Sequence, residues 1–400
     1  MIGSKHKRTC SEGQNASTGR GGGLLVAGLV AGFVSLLATG SASADVALVE
    51  GGPLKVYGDF RARQEFDWDS QRASGAMRTD RTRARIRARF GFKYKPIDEL
   101  KFGMRVRSGN QRSQQSPHAT IADFSSDDHG ERSGVLDKYF AKVSLDPVWV
   151  WGGSNGFPFW KQNEHFWDDD VTLLGGAAGG GFDTGVGKLS VTTGVFALPD
   201  GMMSHQLGKM IAGQLKYSGD VAEGIKLNAA AGYFDMKGKD GAVNIRNGNG
   251  ARDYQIGVVS VQAKLLAMDM PITLGVDFMH NFESYSASDS NAFTVANRNE
   301  RDGFILSAKV GKLKEWGDWL VGYYFARIET LAVNASYAQD DWVRWGSANQ
   351  TDSSDLRGHE FRTAFAISGR TNLVARLYIV DAITSTQDGK RFRIDFNTKF

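Results

Sequence analysis

Polar and apolar residues alternate along most of the chain with a period of two. Successive side chains of a β-strand point to opposite faces of the sheet, so this period predicts strands with one polar and one apolar face. The clearest case is residues 81–90, where five arginines alternate with threonine, alanine, isoleucine and phenylalanine: Arg81, Arg83, Arg85, Arg87 and Arg89. A strand places all five on one face, whereas a helix would distribute them around its circumference.

These five arginines cannot line a dry core. Side chains two positions apart on a strand are roughly 7 Å from one another, and two like charges at that distance repel by about 0.6 kcal/mol in water. In a dry interior the same repulsion has an upper bound of about 12 kcal/mol. The arginine face must therefore meet water or acidic groups, and the opposite face must meet an apolar environment.

The alternation recurs often enough to predict about sixteen strands. They lie at 54–66, 81–95, 100–109, 136–146, 147–154, 171–183, 187–198, 208–218, 224–237, 252–267, 271–284, 301–312, 317–330, 355–368, 371–382 and 390–400. Short connections alternate with long ones between these strands, as in outer-membrane barrels, which have short periplasmic turns and long extracellular loops. The predicted fold class is all-β, a transmembrane antiparallel β-barrel.

Aromatic residues near the strand ends fit a barrel in a membrane. Trp149 and Trp151 follow one short turn, and Trp316 and Trp319 flank another. Tryptophan is enriched at membrane interfaces, so these residues are candidates for an aromatic girdle, with ordinary strand aromatics as the alternative.

The last predicted strand ends in an aromatic residue. Phe392, Ile394, Phe396 and Phe400 share one face at even spacing. This arrangement resembles the C-terminal signal by which outer-membrane proteins are recognised for assembly.

The N-terminal segment has the layout of a secretory signal peptide. Basic residues precede an apolar run at 22–38, and an Ala-x-Ala site at 42–44 follows it. This order predicts that residues 1–44 are removed and that residues 45–400 form the barrel. A membrane anchor is the alternative, although the apolar run is short for a span.

Composition narrows the classes of function. Loss of residues 1–44 would remove the only cysteine, Cys10, and leave a nearly neutral chain, so thiol chemistry and nucleic-acid binding lose their support. The histidines are scattered and no Gly-x-Ser-x-Gly or His-Glu-x-x-His motif occurs. We therefore expect no enzyme, no metal and no cofactor; a hydrolase assembled from separate strands is the alternative.

Three stretches of the chain resemble the putative porin family of Gram-negative outer-membrane β-barrels, similar in style to phosphate-selective and general porins. They are the first hairpin (54–63 with 81–85), the Pro-Phe-Trp and Trp-Asp-Asp-Asp sequences within 155–170, and the C-terminal strand. The resemblance implies a water-filled channel that contacts outer-membrane lipid and lipopolysaccharide, is inserted by the outer-membrane assembly machinery, and forms a homotrimer. Acidic residues in the first long loop and at 110–135 depart from the pattern and put an inherited anion preference in doubt.

In a barrel with its apolar face outward, the arginines line the lumen. Those on three neighbouring strands would form one surface, here called the basic wall: Arg61, Arg63, Arg81, Arg83, Arg85, Arg87, Arg89, Arg105 and Arg107. Fixed positive charge favours anions in a pore. The alternative is a structural lattice of salt bridges with Asp59, Glu65, Asp67 and the loop acids.

Residues 155–170 form the predicted constriction loop. From the resemblance to porins, we expect this loop to fold inward and to set Asp168, Asp169 and Asp170 across an aqueous gap from the basic wall, with Phe159 and Trp160 beside them. Clustered carboxylates also suit a hard cation such as calcium, but no glycine-spaced calcium loop surrounds them. An exposed acidic loop that contacts lipopolysaccharide-bridging ions is a further alternative.

The leading functional expectation is passive diffusion of small hydrophilic solutes, with anions favoured by the basic wall. A specific channel for an anionic solute such as phosphate, an organic acid or an acidic sugar is one alternative. A plugged structural or adhesive barrel is the other.

Overall fold

The chain folds into one antiparallel sheet that closes on itself. The computed structural model describes residues 45–47, 51–126, 133–201, 208–242, 245–267, 270–346 and 352–400. The predicted signal peptide therefore lies outside the described residues. Among them, helical structure is limited to one short helix, α1 (Ala292–Asn297), and one 3-10 turn (Arg246–Gly248). None of the described helices has the length and apolar character needed to cross a membrane.

The sheet contains sixteen long strands and two short ones. In chain order they are β1 (Asp45–Ala47), β2 (Leu54–Trp68), β3 (Arg81–Tyr94), β4 (Leu100–Ser108), β5 (Ala119–Asp123), β6 (Gly134–Leu145), β7 (Val148–Gly156), β8 (Thr172–Asp183), β9 (Lys188–Ala197), β10 (Gly208–Ala222), β11 (Ile225–Gly238), β12 (Tyr254–Ala267), β13 (Met270–Asn281), β14 (Asp302–Gly311), β15 (Trp319–Ile328), β16 (Leu356–Ala366), β17 (Thr371–Ala382) and β18 (Asp388–Lys399).

Each long strand pairs with its neighbours in sequence, and β18 pairs with β2 to complete the ring. The short strand β1 pairs with β2, and β5, which lies in the connection between β4 and β6, pairs with β3. The prediction of a closed antiparallel barrel with sixteen strands is confirmed. Closure leaves no unpaired sheet edge, which is the condition for a sheet to exist in hydrocarbon.

The C-terminal residues form the seam of the ring. The backbone N–H of Gly58 donates to the Phe400 carbonyl at 3.0 Å, and the Phe400 N–H donates to the Gly58 carbonyl at 3.1 Å. The ring of Phe400 covers Gly58, where a side chain would overlap it. Phe392 stacks on Phe66 on the outer face, with ring centroids 6.3 Å apart, and Ile394 is exposed there. Recognition of this strand by the assembly machinery stays a prediction.

The outer face of the barrel is apolar. Large hydrophobic side chains are exposed along many strands, among them Val150, Val195, Leu215, Phe278 and Phe361. Continuous exposed apolar surface of this kind is what lipid contact requires.

Two of the four predicted girdle tryptophans lie on the wrong side for that role. Trp316 and Trp319 are 75% and 42% exposed, as a girdle requires. Trp151 is 4% exposed and packs 5.9 Å from Phe196 inside the barrel, and Trp149 packs against the same interior cluster. Because both faces of 148–151 are apolar, the alternation alone did not show that the valines, and not the tryptophans, face outward.

The interior of the barrel contains a hydrophobic core. Inward-facing side chains of β10 to β13, such as Met210, Phe234 and Ile256, pack against apolar residues of two long connections. These connections are 157–171, between β7 and β8, and 331–345, within the connection between β15 and β16. Both therefore lie in the lumen and are held there by apolar contacts.

Candidate functional site

Arginines and carboxylates face each other across the strands of the basic wall. In the register of β2 and β3, Glu65 lies opposite Arg83 and Asp67 opposite Arg81. In the register of β18 and β2, the same two acids lie opposite Arg393 and Arg391, residues that the sequence prediction left out of the wall. Each of these acids is thus placed between two arginines by strand register alone.

Glu65 and Asp67 are the centres of this lattice. Glu65 is fully buried and contacts Arg83 and Arg393, the latter at 2.9 Å. Asp67 accepts from Arg81 at 2.8 Å and from Arg391 at 2.5 Å. Buried ion pairs are costly to break because removal of one partner leaves a desolvated charge. Much of the basic wall therefore takes part in salt bridges, as in the structural lattice that the sequence offered as the alternative to a free basic wall.

Asp170 joins the loop 157–171 to the wall. Its carboxylate lies 2.5 Å from Arg89 and 3.5 Å from Arg87, and both arginines also contact Asp59. Burial by itself would raise the pKa of Asp170, but Arg89, Arg87 and the neighbouring arginines outweigh burial and lower it. The expected aqueous gap between this acid and the basic wall is replaced by direct ion pairs.

The other two acids of the Asp168–Asp170 cluster have different partners. Asp169 is exposed and pairs with Lys161. Asp168 is buried, accepts the backbone N–H of Asp170 at 2.7 Å, and has its pKa raised well above the usual value by burial and by neighbouring acids. The three carboxylates do not converge, and no group of residues that could hold a metal ion occurs in the described part of the chain.

Aromatic residues anchor the loop 157–171 from within. Phe157 stacks on Trp167 with centroids 4.9 Å apart, and Phe166 lies 4.6 Å from Phe234 of β11. Phe159 is buried in the same cluster. The backbone N–H and carbonyl of Trp160 both bond the Gln214 amide, at 2.8 and 2.9 Å. Phe159 and Trp160, which the sequence predicted as residues of the constriction loop, therefore fix this loop to barrel strands outside the basic wall.

The connection 331–345 also enters the lumen, which the sequence prediction missed. Its Tyr337 stacks 5.2 Å from Trp167, and its carbonyl accepts the Asp168 N–H at 2.8 Å. Asp341 reaches the basic wall, where it contacts Arg63 at 3.4 Å, Arg376 at 3.3 Å and Arg393. A usable signal was present, because Leu331, Val333, Trp342, Val343 and Trp345 make this connection unusually apolar for a surface loop.

The segment 110–118 is a third lumenal element. Gln114 donates to the Ser336 carbonyl at 2.8 Å, and Gln115 donates to the carbonyls of Ala335 and Ala338 at 2.9 and 2.7 Å. All of these groups are buried. Polar side chains of one connection thus satisfy the backbone of another inside the barrel.

The remaining arginines of the predicted wall differ in their partners. Arg105 pairs with Asp137, whereas Arg107 donates to the Ser113 carbonyl at 2.5 Å. Arg61 donates to the amide oxygen of Asn397 at 2.6 Å. Among the described residues, Arg61 and Arg107 have no carboxylate within ion-pair distance.

An open cavity of about 280 Å³ lies between the two inserted loops, 157–171 and 331–345, and strands β14–β17. Charged residues in its lining come from the loops and from β14, β16 and β17: Lys161, Glu164, Asp169, Lys309, Asp341, Glu360, Arg362 and Arg376. The other residues of the lining are Tyr324, Trp342, Tyr378, Gln162, Asn163, His165 and Gln339. The sequence prediction placed the narrow gap at β2–β4 and did not name the strand residues of this lining. The same alternation of polar and apolar residues could have indicated them, but it was less evident because these predicted strands carry fewer charged residues than β2–β4.

Loop acids in and around this cavity are not all charged at neutral pH. Burial and the adjacent Asp169 raise the pKa of Glu164 to about 8. Burial and Asp341 raise the pKa of Asp340 to about 6. Glu164 is therefore protonated at pH 7, and the cations of the lining face less negative charge than the sequence suggests.

Comparisons with known proteins agree with the barrel fold. Residues 62–250 match the model of a protein family described as putative porin. No curated protein matches the chain. The resemblance stated from the sequence is confirmed over this segment.

Solved structures share the barrel fold. OprB of Pseudomonas putida at high pH has a TM-score of 0.57 and 12% identity, with 87% of this chain and 94% of that chain covered. Its low-pH structure has a TM-score of 0.53 and 11% identity, covering 90% and 100%. OmpF of Salmonella typhi, in complex with daunomycin, has a TM-score of 0.52 and 13% identity, covering 89% and 100%. At these identities the likeness establishes the fold.

The lattice predicts a large effect of removing Asp341. Asp341→Ala leaves Arg63 and Arg393, whose side chains are each 1% exposed, without a shared carboxylate. Arg63 keeps its pair with Asp395 and Arg393 keeps its pair with Glu65, so neither arginine is left unpaired. We therefore expect the free energy of unfolding to fall by about 1.5–3 kcal/mol, the usual worth of a hydrogen bond to a charged group. The measurement is thermal unfolding of the folded protein in detergent. Asp98→Ala, which removes an exposed turn acid paired with Lys95, is the control and should leave the unfolding temperature unchanged. Equal stability of both variants would contradict the lattice.

Proposed function

We propose that this Gram-negative outer-membrane β-barrel, part of which matches the putative porin family, lets small hydrophilic solutes diffuse passively and favours anions over cations. The observation that carries the proposal is the charged cavity between the inserted loops and β14–β17. A hydrated, charge-lined space at the narrow part of a barrel is where a pore discriminates between ions.

Two features support a preference for anions. First, arginines outnumber carboxylates across the wall, since Arg61 and Arg107 have no ion-pair partner among the described residues. Second, the cavity contains Lys309, which comes within 5.9 Å of the Tyr324 ring. With Glu164 protonated, the field in the cavity is expected to be positive at neutral pH.

In this proposal the basic wall and the passage have separate tasks. The paired arginines hold the loops, and the residues of the cavity meet the solute. Lys309, which has no ion-pair partner among the described residues, would therefore contribute more to selectivity than Arg83 or Arg393, which are held by buried Glu65. Arg362 and Arg376 also line the cavity, where they pair with Glu360 and Asp341.

A plugged structural barrel is the second candidate, favoured by the three connections packed inside the lumen. Purified protein in a planar bilayer separates the two: a channel conducts, and a plug does not. Assembly as a homotrimer and contact with lipopolysaccharide stay predictions from the family resemblance, as does a specific anionic solute.

Neutralising the cavity should weaken the preference for anions. Lys309→Gln and Arg362→Gln each remove one positive charge, and a unit charge at about 4 Å is worth about 1 kcal/mol in water, which is roughly a fivefold effect at most. We expect the anion-to-cation permeability ratio, from reversal potentials in a salt gradient, to fall within that limit. Lys95→Gln, on an exposed turn, removes the same charge as a control. A wild-type preference for cations, or equal ratios in all variants, would refute the proposal.

The raised pKa of Glu164 predicts a pH-dependent preference. Below about pH 8 the group is protonated and uncharged, and above that pH it adds negative charge to the cavity. The anion preference should therefore decrease as the pH rises from about 7 to about 9.5. Glu164→Gln should keep the preference of the low-pH state and lack the step, whereas a step of unchanged size in this variant would exclude Glu164 as its source.

A further inference from the structure

The open cavity beside β14–β17 carries one positive charge more than its negative charges balance. Three of the cations in its lining each pair with one acid of the lining: Lys161 with Asp169, Arg362 with Glu360, and Arg376 with Asp341. The remaining acid, Glu164, is protonated at pH 7 because burial and Asp169 raise its pKa to about 8. The remaining cation, Lys309, has no ion-pair partner among the described residues. The charge of the cavity is therefore completed by one monovalent anion.

Lys309 and Arg362 lie on either side of a glycine. Gly322 of β15 is opposite Lys309 in the register of β14 and β15, and opposite Arg362 in the register of β15 and β16. The Lys309 Nζ and the Arg362 Cζ lie 5.9 and 4.9 Å from the ring centroid of Tyr324, which also lines the cavity. A Cβ at Gly322 would meet no atom closer than 3.4 Å. Two cations and one aromatic ring therefore surround a space that no side chain at position 322 fills.

The acids of the lining are already occupied by cations of the protein. Glu360 accepts from Arg362 at 2.6 Å and from the indole N–H of Trp342 at 3.2 Å. Asp341 is shared by three arginines: Arg63, Arg376 and Arg393. The ammonium group of a zwitterionic solute would have to displace one of these partners, and a buried ion pair is costly to break. The free charge of the cavity thus selects for an anionic group alone.

Neutral hydrogen-bonding groups make up much of the remaining lining. They are the side-chain amides of Gln162, Asn163 and Gln339 and the phenols of Tyr324 and Tyr378. Amides and phenols both donate and accept hydrogen bonds, as the hydroxyl groups of a solute do. The Tyr324 hydroxyl has no hydrogen-bond partner among the described residues. A site with such groups discriminates against a solute without hydroxyls, because its polar groups would lose water and gain no partner.

We propose that this cavity binds a small solute with one carboxylate and several hydroxyl groups, that is, a sugar acid, as the solute passes through the barrel. The carboxylate is held between Lys309 and Arg362, above the Tyr324 ring, and the hydroxyl groups meet the amides and phenols. This inference rests on the proposed function, because it names the class of solute for the same cavity.

Charge and size exclude other solutes. A second negative charge would find no free cation and would lie close to Glu360 and Asp341, which repel it. The volume of about 280 Å³ is slightly below the range of about 300–1,000 Å³ that is usual for small-molecule pockets, which limits the solute to about the size of one sugar unit.

The test compares four solutes with the same six-carbon chain: gluconate, with one carboxylate and five hydroxyls; hexanoate, without hydroxyls; glucarate, with two carboxylates; and sorbitol, without charge. Isothermal titration calorimetry measures their binding to the folded protein in detergent, which does not require conduction. We expect gluconate to bind more tightly than each of the other three, by about tenfold or more where a charged hydrogen bond is missing. Absence of gluconate binding, or equal or tighter binding of any of the other three, would overturn the proposal.

Two neighbouring tyrosines provide a matched pair of variants. Tyr324→Phe removes the hydroxyl that faces the cavity and should weaken gluconate binding by about fivefold, the usual effect of one neutral hydrogen bond, while hexanoate binding stays the same. Tyr323→Phe removes a hydroxyl from the outer face, where it contacts His359, and should leave gluconate binding unchanged. Equal effects of the two substitutions would refute the site.

A second pair of variants tests the charge. Lys309→Gln should weaken gluconate binding by about tenfold or more, because it removes a charged hydrogen bond, whereas Lys95→Gln on an exposed turn should not change it. Unchanged binding in Lys309→Gln would refute the site; if this variant does not fold, the tyrosine pair decides. Preferential gluconate binding by a barrel that does not conduct, or that prefers cations, would refute the proposed function alone. An anion-selective pore that binds hexanoate as tightly as gluconate would refute the sugar acid alone.

Discussion

The interior of this barrel depends on the need of desolvated arginines for nearby carboxylates. The period-two pattern directs a dense set of guanidinium groups into the lumen, and strand register places Glu65, Asp67 and Asp395 among them. An unpaired buried charge costs about 3–5 kcal/mol, comparable with a large part of a domain's stability. The acids of the connections, above all Asp170 and Asp341, complete this compensation, and so the loops are part of the charge balance of the wall.

Apolar packing supplies the second attachment of the same loops. Phe166 and Trp167 on one connection and Tyr337 on the other meet the inward face of β10 to β13 and each other. Each loop is thus fixed between a charged side and an apolar side of the lumen. The remaining open space lies beside β14–β17, where neither the ion pairs nor the apolar contacts fill the lumen completely. In the proposed function this open space is the passage for the solute, and Asp341 and Arg376 belong both to its lining and to the lattice.

The sequence predicted the barrel well because alternation and loop length are local signals. Sixteen strands were placed within a few residues of their observed ends, and the inward direction of the arginines followed from the lipid-facing pattern. The site was predicted only in part. Which acid meets which arginine depends on register across β2, β3 and β18, whose pairing brings residues about 330 positions apart into contact. The inward course of 331–345 depends on packing against other strands, although its apolar composition offered a clue. The prediction that Trp151 belongs to an aromatic girdle was wrong because both faces of its strand are apolar around this residue.

The central claim is that solutes pass beside β14–β17 and not along the basic wall. Its most direct test is modification by a small water-soluble thiol reagent during bilayer recording, in a chain with Cys10 replaced and one cysteine introduced. Lys309→Cys places the thiol in the cavity, and Arg83→Cys places it in the lattice beside buried Glu65. Modification should reduce the conductance of Lys309→Cys promptly and leave that of Arg83→Cys largely unchanged. Prompt block of Arg83→Cys with no effect on Lys309→Cys would contradict the account.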